Sequence, residues 1–216
     1  MSTPANPTSA AASDKPPRLR RRIPVALRMF AAMLVLFGGG GAVWVGVPIY
    51  RQQTAMREIH RLGGWTAVRY DGPEDLPRLA GDEWAHKFDV ITEVGLGGTE
   101  FGDGDVRWLR VLTSVQHLVL FNTRVSDAGL VQLRNLTDLK RLYLHGTNVS
   151  DAGIKPLSVL SKLEALDLAS TKITDASLAH IKQFSKLRRL YVSNTQVTEA
   201  ALADLERALP ALKIYK

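Results

Sequence analysis

Aligned on Thr99, Thr123, Thr147, Thr171 and Thr195, which stand 24 residues apart, the chain shows seven columns that are almost wholly apolar. They lie at −8, −5, −3, +2, +7, +10 and +13 from each threonine. The −5 column reads Val94, Leu118, Leu142, Leu166, Leu190, and the −3 column Leu96, Leu120, Leu144, Leu168, Val192. A spacing of two puts both side chains on one side of a short strand. The +7 and +10 columns (Leu130/Leu133, Ile154/Leu157, Leu178/Ile181, Leu202/Leu205) are spaced by three, as on one face of a helix. Each repeat therefore reads as strand, turn, helix and return. A fixed period of this length marks a stacked solenoid, with a parallel strand face on one side and helices on the opposite side. Leu212-Lys213-Ile214-Tyr215 falls 24 residues after the fifth strand and adds a sixth.

Polar positions repeat as strictly. Ser126, Ser150, Thr174 and Thr198 stand where a helix N-cap is needed, with a hydroxyl to accept from an orphan backbone N–H. Asp127, Asp151, Asp175 and Glu199 follow, placing negative charge at the positive end of each helix dipole. Helix capping accounts for all these acids, so they give no reason to expect catalysis or calcium. The column Ala128, Ala152, Ala176, Ala200 predicts close packing of helix on sheet. The threonines sit where the backbone turns inward and buries polar groups. Their hydroxyls are expected to supply partners there and to stack with their neighbours.

The pattern L-x-x-L-x-L-x-x-T-x-V-[ST]-D-A-G-[LI], read at Leu139 to Ile154, resembles that of leucine-rich repeat proteins. It is similar in particular to the bacterial VTDAGL-type repeats abundant in planctomycetes, which are often tethered by an N-terminal span. The resemblance covers residues 90–216, and residues 59–70 (IHRLGGWTAVRY) are similar to heads seen in that group. It implies a leucine-rich repeat solenoid of the α/β class, in which threonine stands where the family usually has Asn or Cys. The end repeats depart from the pattern, at Phe101-Gly102-Asp103-Gly104 and at Val197-Thr198-Glu199-Ala200-Ala201, as terminal repeats do.

Four segments follow: a basic tail (1–22), a transmembrane helix serving as signal anchor (23–50), an N-terminal capping region (51–89) and the repeats (90–216). The tail, with Pro4, Pro7, Pro16 and Pro17, has too little apolar surface to offset its ordering entropy. Residues 29–50 carry no formal charge across 22 positions. As a helix they span about 33 Å, against a hydrocarbon core of about 30 Å. A cleavable signal peptide would instead use the shorter apolar core 29–37, with Gly40 and Ala42 before the cut. Apolar residues resume at Val43 and Trp44, which favours the anchor. Lys15 and Arg18 to Arg28 outweigh Arg51, Arg57 and Arg61, so the N-terminus is expected in the cytoplasm and the repeats on the extracytoplasmic side. Gly38, Ala42 and Gly46 form a small-residue row suited to a homodimer contact in the membrane. In the head, a short helix over 55–62 is stopped by Gly63-Gly64, and Trp65–Tyr70 reads as a strand. One or two short helices are expected over 74–88. Trp65, Tyr70, Trp84 and Phe88 have the bulk to cover the first repeat's apolar end.

Charge and composition narrow the function. The formal +7 divides as +5 in residues 1–28, −1 in 51–89 and +3 in 90–216. The excess sits beside the apolar segment rather than on the folded domain, so no nucleic-acid partner is expected. With no cysteine there is no disulfide, thiolate metal site or cysteine nucleophile. The histidines share no metal-ligand spacing, Gly95-Leu96-Gly97-Gly98 lacks the G-K-[ST] of a phosphate loop, and Asp103-Gly104-Asp105 is only a fragment of a calcium loop. No nucleophile has a base at a recognisable spacing, so no enzyme, cofactor or metal is expected. Strand residues outside the core columns should point into the concave surface: His117, Phe121, Arg141, Tyr143, His145, Asp167, Arg189 and Tyr191. Tyrosine and arginine are enriched at binding hot spots. The expected function is therefore a membrane-anchored scaffold binding a protein or peptide partner through its concave strand face. The alternative is a structural envelope protein that assembles through its membrane helix or its open C-terminal edge.

Overall fold

The computed structural model describes residues 50–71 and 89–216. The tail, the apolar segment up to residue 49 and the helices expected over 74–88, with Trp84 and Phe88, lie outside the described residues. Among the described residues no helix is long and apolar enough to cross a membrane.

Helix α1 covers residues 50–61. It ends where Gly63 takes a left-handed φ of 83°, a conformation that glycine adopts without steric cost. Strand β1 (Trp65–Tyr70) then runs antiparallel to β2 (Asp89–Gly95). At the far end of this pair the Tyr70 phenol is held above its ordinary range by desolvation and by the Asp89 carboxylate. From β2 onward every pairing is parallel and in register: β3 (His117–Val119), β4 (Arg141–Tyr143), β5 (Ala165–Asp167), β6 (Arg189–Tyr191) and β7 (Lys213–Tyr215). The sheet keeps chain order from β1 to β7. Each parallel step is one 24-residue repeat, for instance Leu118↔Leu142↔Leu166↔Leu190↔Ile214.

The seven apolar columns form one continuous core, in which Leu96, Leu120, Leu144 and Leu168 have no exposed surface. Only the terminal repeat loosens, where Val197, Ala201 and Leu209 are partly buried. The side opposite the sheet is less helical than its periodicity suggests. It carries a 3-10 helix at Val106–Val111, then short α-helices α2 (Asp127–Gln132), α3 (Asp151–Ile154), α4 (Asp175–Ile181) and α5 (Glu199–Ala208). In the second and third repeats the chain tightens directly into 3-10 turns, Leu133–Asn135 and Lys155–Val159. Only one or two turns fit between successive inward bends of a 24-residue period, and 3-10 geometry completes them.

Two polar columns behave differently from the sequence expectation. Each threonine hydroxyl donates within its own turn, to the carbonyl three residues back: Thr123 to Leu120 at 2.7 Å, Thr147 to Leu144 at 2.6 Å, Thr171 to Leu168 at 2.5 Å. The hydroxyls close turns and do not bond from repeat to repeat. The bonds that do run between repeats come from the aspartates. Asp103, Asp127, Asp151 and Asp175 each accept from the backbone N–H and the hydroxyl of the N-cap residue 23 positions on, namely Ser126, Ser150, Thr174 and Thr198. The N-cap hydroxyls still accept from Ala128, Ala152 and Ala176 N–H, at 3.3–3.4 Å. Their shorter bonds are the ones they donate to carboxylates.

The alanine column is also corrected. Ala128, Ala152, Ala176 and Ala200 are exposed, and the small residues that face inward are the next in line, Gly129, Gly153 and Ser177. A Cβ on Gly129 would lie 2.5 Å from Asp103 Oδ1, so the glycine keeps room for the preceding repeat's carboxylate. In the fourth repeat Ser177 occupies this place and donates to Thr174 O at 2.8 Å.

Candidate functional site

The parallel register settles which side chains share a row. One row across the strands is Glu93, His117, Arg141, Ala165, Arg189, Lys213, and the next is Gly95, Val119, Tyr143, Asp167, Tyr191, Tyr215. In β2 to β6 the residue between them is the buried leucine or valine, and in β7 the partly buried Ile214, so both rows lie on the face away from the core. His117, Arg141, Tyr143, Asp167, Arg189 and Tyr191 are thus brought onto one surface. Phe121 and His145 stand just beyond the strand ends, where Asn122 N–H donates to His145 O at 2.7 Å and continues the ladder.

Within these rows the charges are unequally satisfied. His117 Nδ1 lies 2.9 Å from Glu93 Oε1, a contact between adjacent strands that occupies both side chains. Asp167 Oδ1 accepts from Ala169 N–H at 3.0 Å and so turns toward its own strand end. Arg141, Arg189 and Lys213 have no acidic partner among the described residues. The Arg141 Nε is buried and makes no hydrogen bond, and an unmet buried donor carries a desolvation cost. Ala165, only 2% exposed, separates the two arginines along the row. Next to them Tyr191 and Tyr215 stack with ring centroids 4.5 Å apart and an interplanar angle of 13°.

At one end of this face the structure sets Trp65, which the sequence reading assigned to capping, beside Phe121, which it placed on the strand face. A Cβ on Gly95 would overlap the Trp65 ring, and one on Gly97 would overlap the Phe121 ring. Two rings therefore rest on alternate residues of β2 and its extension. Trp65 keeps 51% of its surface exposed and Phe121 41%, so neither is consumed by the core. The glycines at 95 and 97 were visible in the sequence, but nothing there showed which rings would cover them. Glu93 was likewise missed. It opens the row one repeat before His117, and extending the −6 column back by one period would have found it.

Strands β2 to β6 each end in a turn of one conformation. Gly98, Asn122, Gly146, Ser170 and Asn194, again 24 apart, take positive φ of 73°, 51°, 67°, 54° and 52°. Glycine and asparagine tolerate this region best, and a single left-handed residue at each strand end turns the chain out of the sheet.

Residues 159–181 match a family model described as Leucine Rich repeat. No curated protein is significantly similar to the chain. Among solved structures the chain is similar to an internalin of Listeria monocytogenes, at 24% identity and a TM-score of 0.44 over 50% of this chain. It spans 30% of that internalin's length. It is also similar to the leucine-rich repeat ectodomain of a receptor kinase from Arabidopsis thaliana, at 17% identity and a TM-score of 0.45, covering 77% of this chain and 91% of that one. A third similarity is to a leucine-rich repeat protein of Leptospira interrogans, at 18% identity and a TM-score of 0.40, covering 68% and 40% of the two chains. The chain thus contains a leucine-rich repeat at 159–181, set in a parallel-stranded α/β solenoid of the same period.

Proposed function

We propose that the chain is a recognition scaffold that holds an extended, acidic protein or peptide segment against its concave strand face. The observation that supports this most is the Arg141–Ala165–Arg189–Lys213 row, whose cations have no acidic partner among the described residues and whose Arg141 Nε is buried without a hydrogen bond. A carboxylate presented by a partner would meet these guanidiniums in bidentate geometry. The neighbouring row offers Tyr143, Tyr191 and Tyr215, which bury large area with few rotatable bonds. A hydrogen-bonded sheet holds both rows rigid, so little ordering entropy is lost on binding.

The apolar segment 29–50 leads directly into α1, and its length supports a single-pass anchor with the N-terminus cytoplasmic and the repeats extracytoplasmic. An enzyme reporter that works only outside the cytoplasm, fused after residue 60, tests this; an inactive fusion refutes the orientation.

The binding reading is tested by crosslinked pull-down with the full chain, wild type against Arg141→Glu/Arg189→Glu, read by mass spectrometry. Recovery of a partner by the wild type alone is expected. Equal recovery of nothing but the chain itself would move the assignment to self-assembly.

A further inference from the structure

Away from the concave face, the start of α1 and the turn that follows the first 3-10 helix enclose a cleft of about 350 Å³. That is at the lower end of the range for small-molecule sites. Its polar lining is Arg51, Gln52, Arg110, Thr113 and Ser114, beside the apolar Ile91, Val111 and Leu112. No aspartate or glutamate is among the described residues that line it. The two arginines come from different elements, and neither has an acidic partner among the described residues. Two arginines lining one cleft with no carboxylate between them leave it electropositive, which favours an anion there. The walls are fixed: Gln52 Nε2 donates to Asp89 O at 2.7 Å, pinning α1 to β2, and Leu112 and Val115 N–H close the opposite turn on Leu109 O and Leu112 O.

We infer that this cleft is a binding site for a phosphate group, with Arg51 and Arg110 as a two-sided clamp and the Thr113 and Ser114 hydroxyls as further donors. Guanidinium forks match the oxygen spacing of phosphate, and hydroxyls supply the neutral bonds that complete its shell. Nothing in the concave-face reading uses these residues. The phosphate comes either from a soluble phosphate ester or from a lipid headgroup. Arg51 immediately follows the apolar segment 29–50, so if that segment spans a membrane the cleft sits at headgroup level.

The test uses the full chain in dodecyl maltoside micelles. One arm titrates inorganic phosphate by calorimetry; the other adds phosphatidylglycerol and counts retained lipid by native mass spectrometry. The wild type is expected to bind in at least one arm, and Arg51→Gln/Arg110→Gln to lose that binding at least tenfold. The control Arg134→Gln/Arg188→Gln, which removes the same charge elsewhere, should bind as the wild type does. Binding in the first arm identifies soluble phosphate as sufficient, and binding in the second alone identifies the lipid. Ser114→Asp, which places an acid in the cleft without removing either arginine, should abolish binding independently. Binding in neither arm, or binding equal in wild type and Arg51→Gln/Arg110→Gln, would overturn the assignment.

Discussion

Asp127 holds Ser150 of the following repeat by two bonds: Oδ1 accepts from the Ser150 N–H at 2.8 Å and Oδ2 from its hydroxyl at 2.6 Å. The same pair of bonds recurs from Asp103 to Ser126, Asp151 to Thr174 and Asp175 to Thr198. Repeat proteins gain their cohesion from nearest-neighbour interfaces, and here the polar part of that interface is a carboxylate staple. Asp127→Asn keeps the shape but exchanges a charged double acceptor for an amide. It should cost about 2 kcal/mol, since hydrogen bonds to charged groups contribute about 1.5–3 kcal/mol. Urea denaturation of the wild type and variant measures this. A midpoint unchanged by Asp127→Asn would show that the staple contributes nothing.

Thr147 is 4% exposed and its hydroxyl donates to Leu144 O at 2.6 Å, while its own N–H donates to the same carbonyl at 3.2 Å. Thr147→Val removes the hydroxyl but leaves that carbonyl one partner. The expected loss is therefore about 1 kcal/mol, near the typical net value of a hydrogen bond rather than that of an orphaned group. The same denaturation series reports it, and a loss above about 3 kcal/mol would mean that the hydroxyl serves more than its own turn.

Gly98 isolates the backbone cost of the left-handed turn, because an added Cβ there meets nothing within 4 Å. Gly98→Ala should destabilise by about 1 kcal/mol, and Gly98→Asn by less, since asparagine visits this region more readily. Conversely, Ser170 holds φ 54° with a side chain poorly suited to it, and Ser170→Gly should raise the thermal midpoint. A fall on Ser170→Gly would mean that its hydroxyl, which accepts from Asn194 Nδ2 at 3.3 Å, outweighs the strain.

The apolar columns could be read from the chain alone because burial follows a fixed period, and a leucine in the −5 or −3 column has one place to go. The staple could not be read so directly. Asp127 and Ser150 each had a sufficient local explanation as helix-start residues, and only the stacking distance between turns shows that they meet. The alanine column misled for a related reason. Small size alone does not tell which of Ala128 and Gly129 faces inward; the position of the Asp103 carboxylate decides it. On the concave face, the rows of arginine and tyrosine follow from strand alternation. Trp65 over Gly95 does not, since an antiparallel strand added ahead of the first repeat lies outside the 24-residue period.

That aromatic end carries its own expectation. Trp65 is half exposed, so Trp65→Ala should lower the unfolding free energy by about 2–3 kcal/mol, less than loss of a fully buried tryptophan. If a partner extends over the first strands, the same change should weaken its binding at least tenfold, because aromatic side chains dominate interface hot spots. Titration of the isolated partner against both forms measures this, and equal affinities would confine the contact to the arginine and tyrosine rows.

Whether the concave face is the surface that meets a partner is tested most directly by site-specific photocrosslinking in the full chain. A benzoylphenylalanine replaces Tyr143 or Tyr191 on the strand rows, or Val131 or Val159 among the exposed residues of the side opposite the sheet. Irradiation should yield one adduct of the same mass from Tyr143 and Tyr191 and none from Val131 and Val159. Adducts formed at Val131 and Val159 but absent at the two tyrosines would place recognition on the helical side and contradict the assignment.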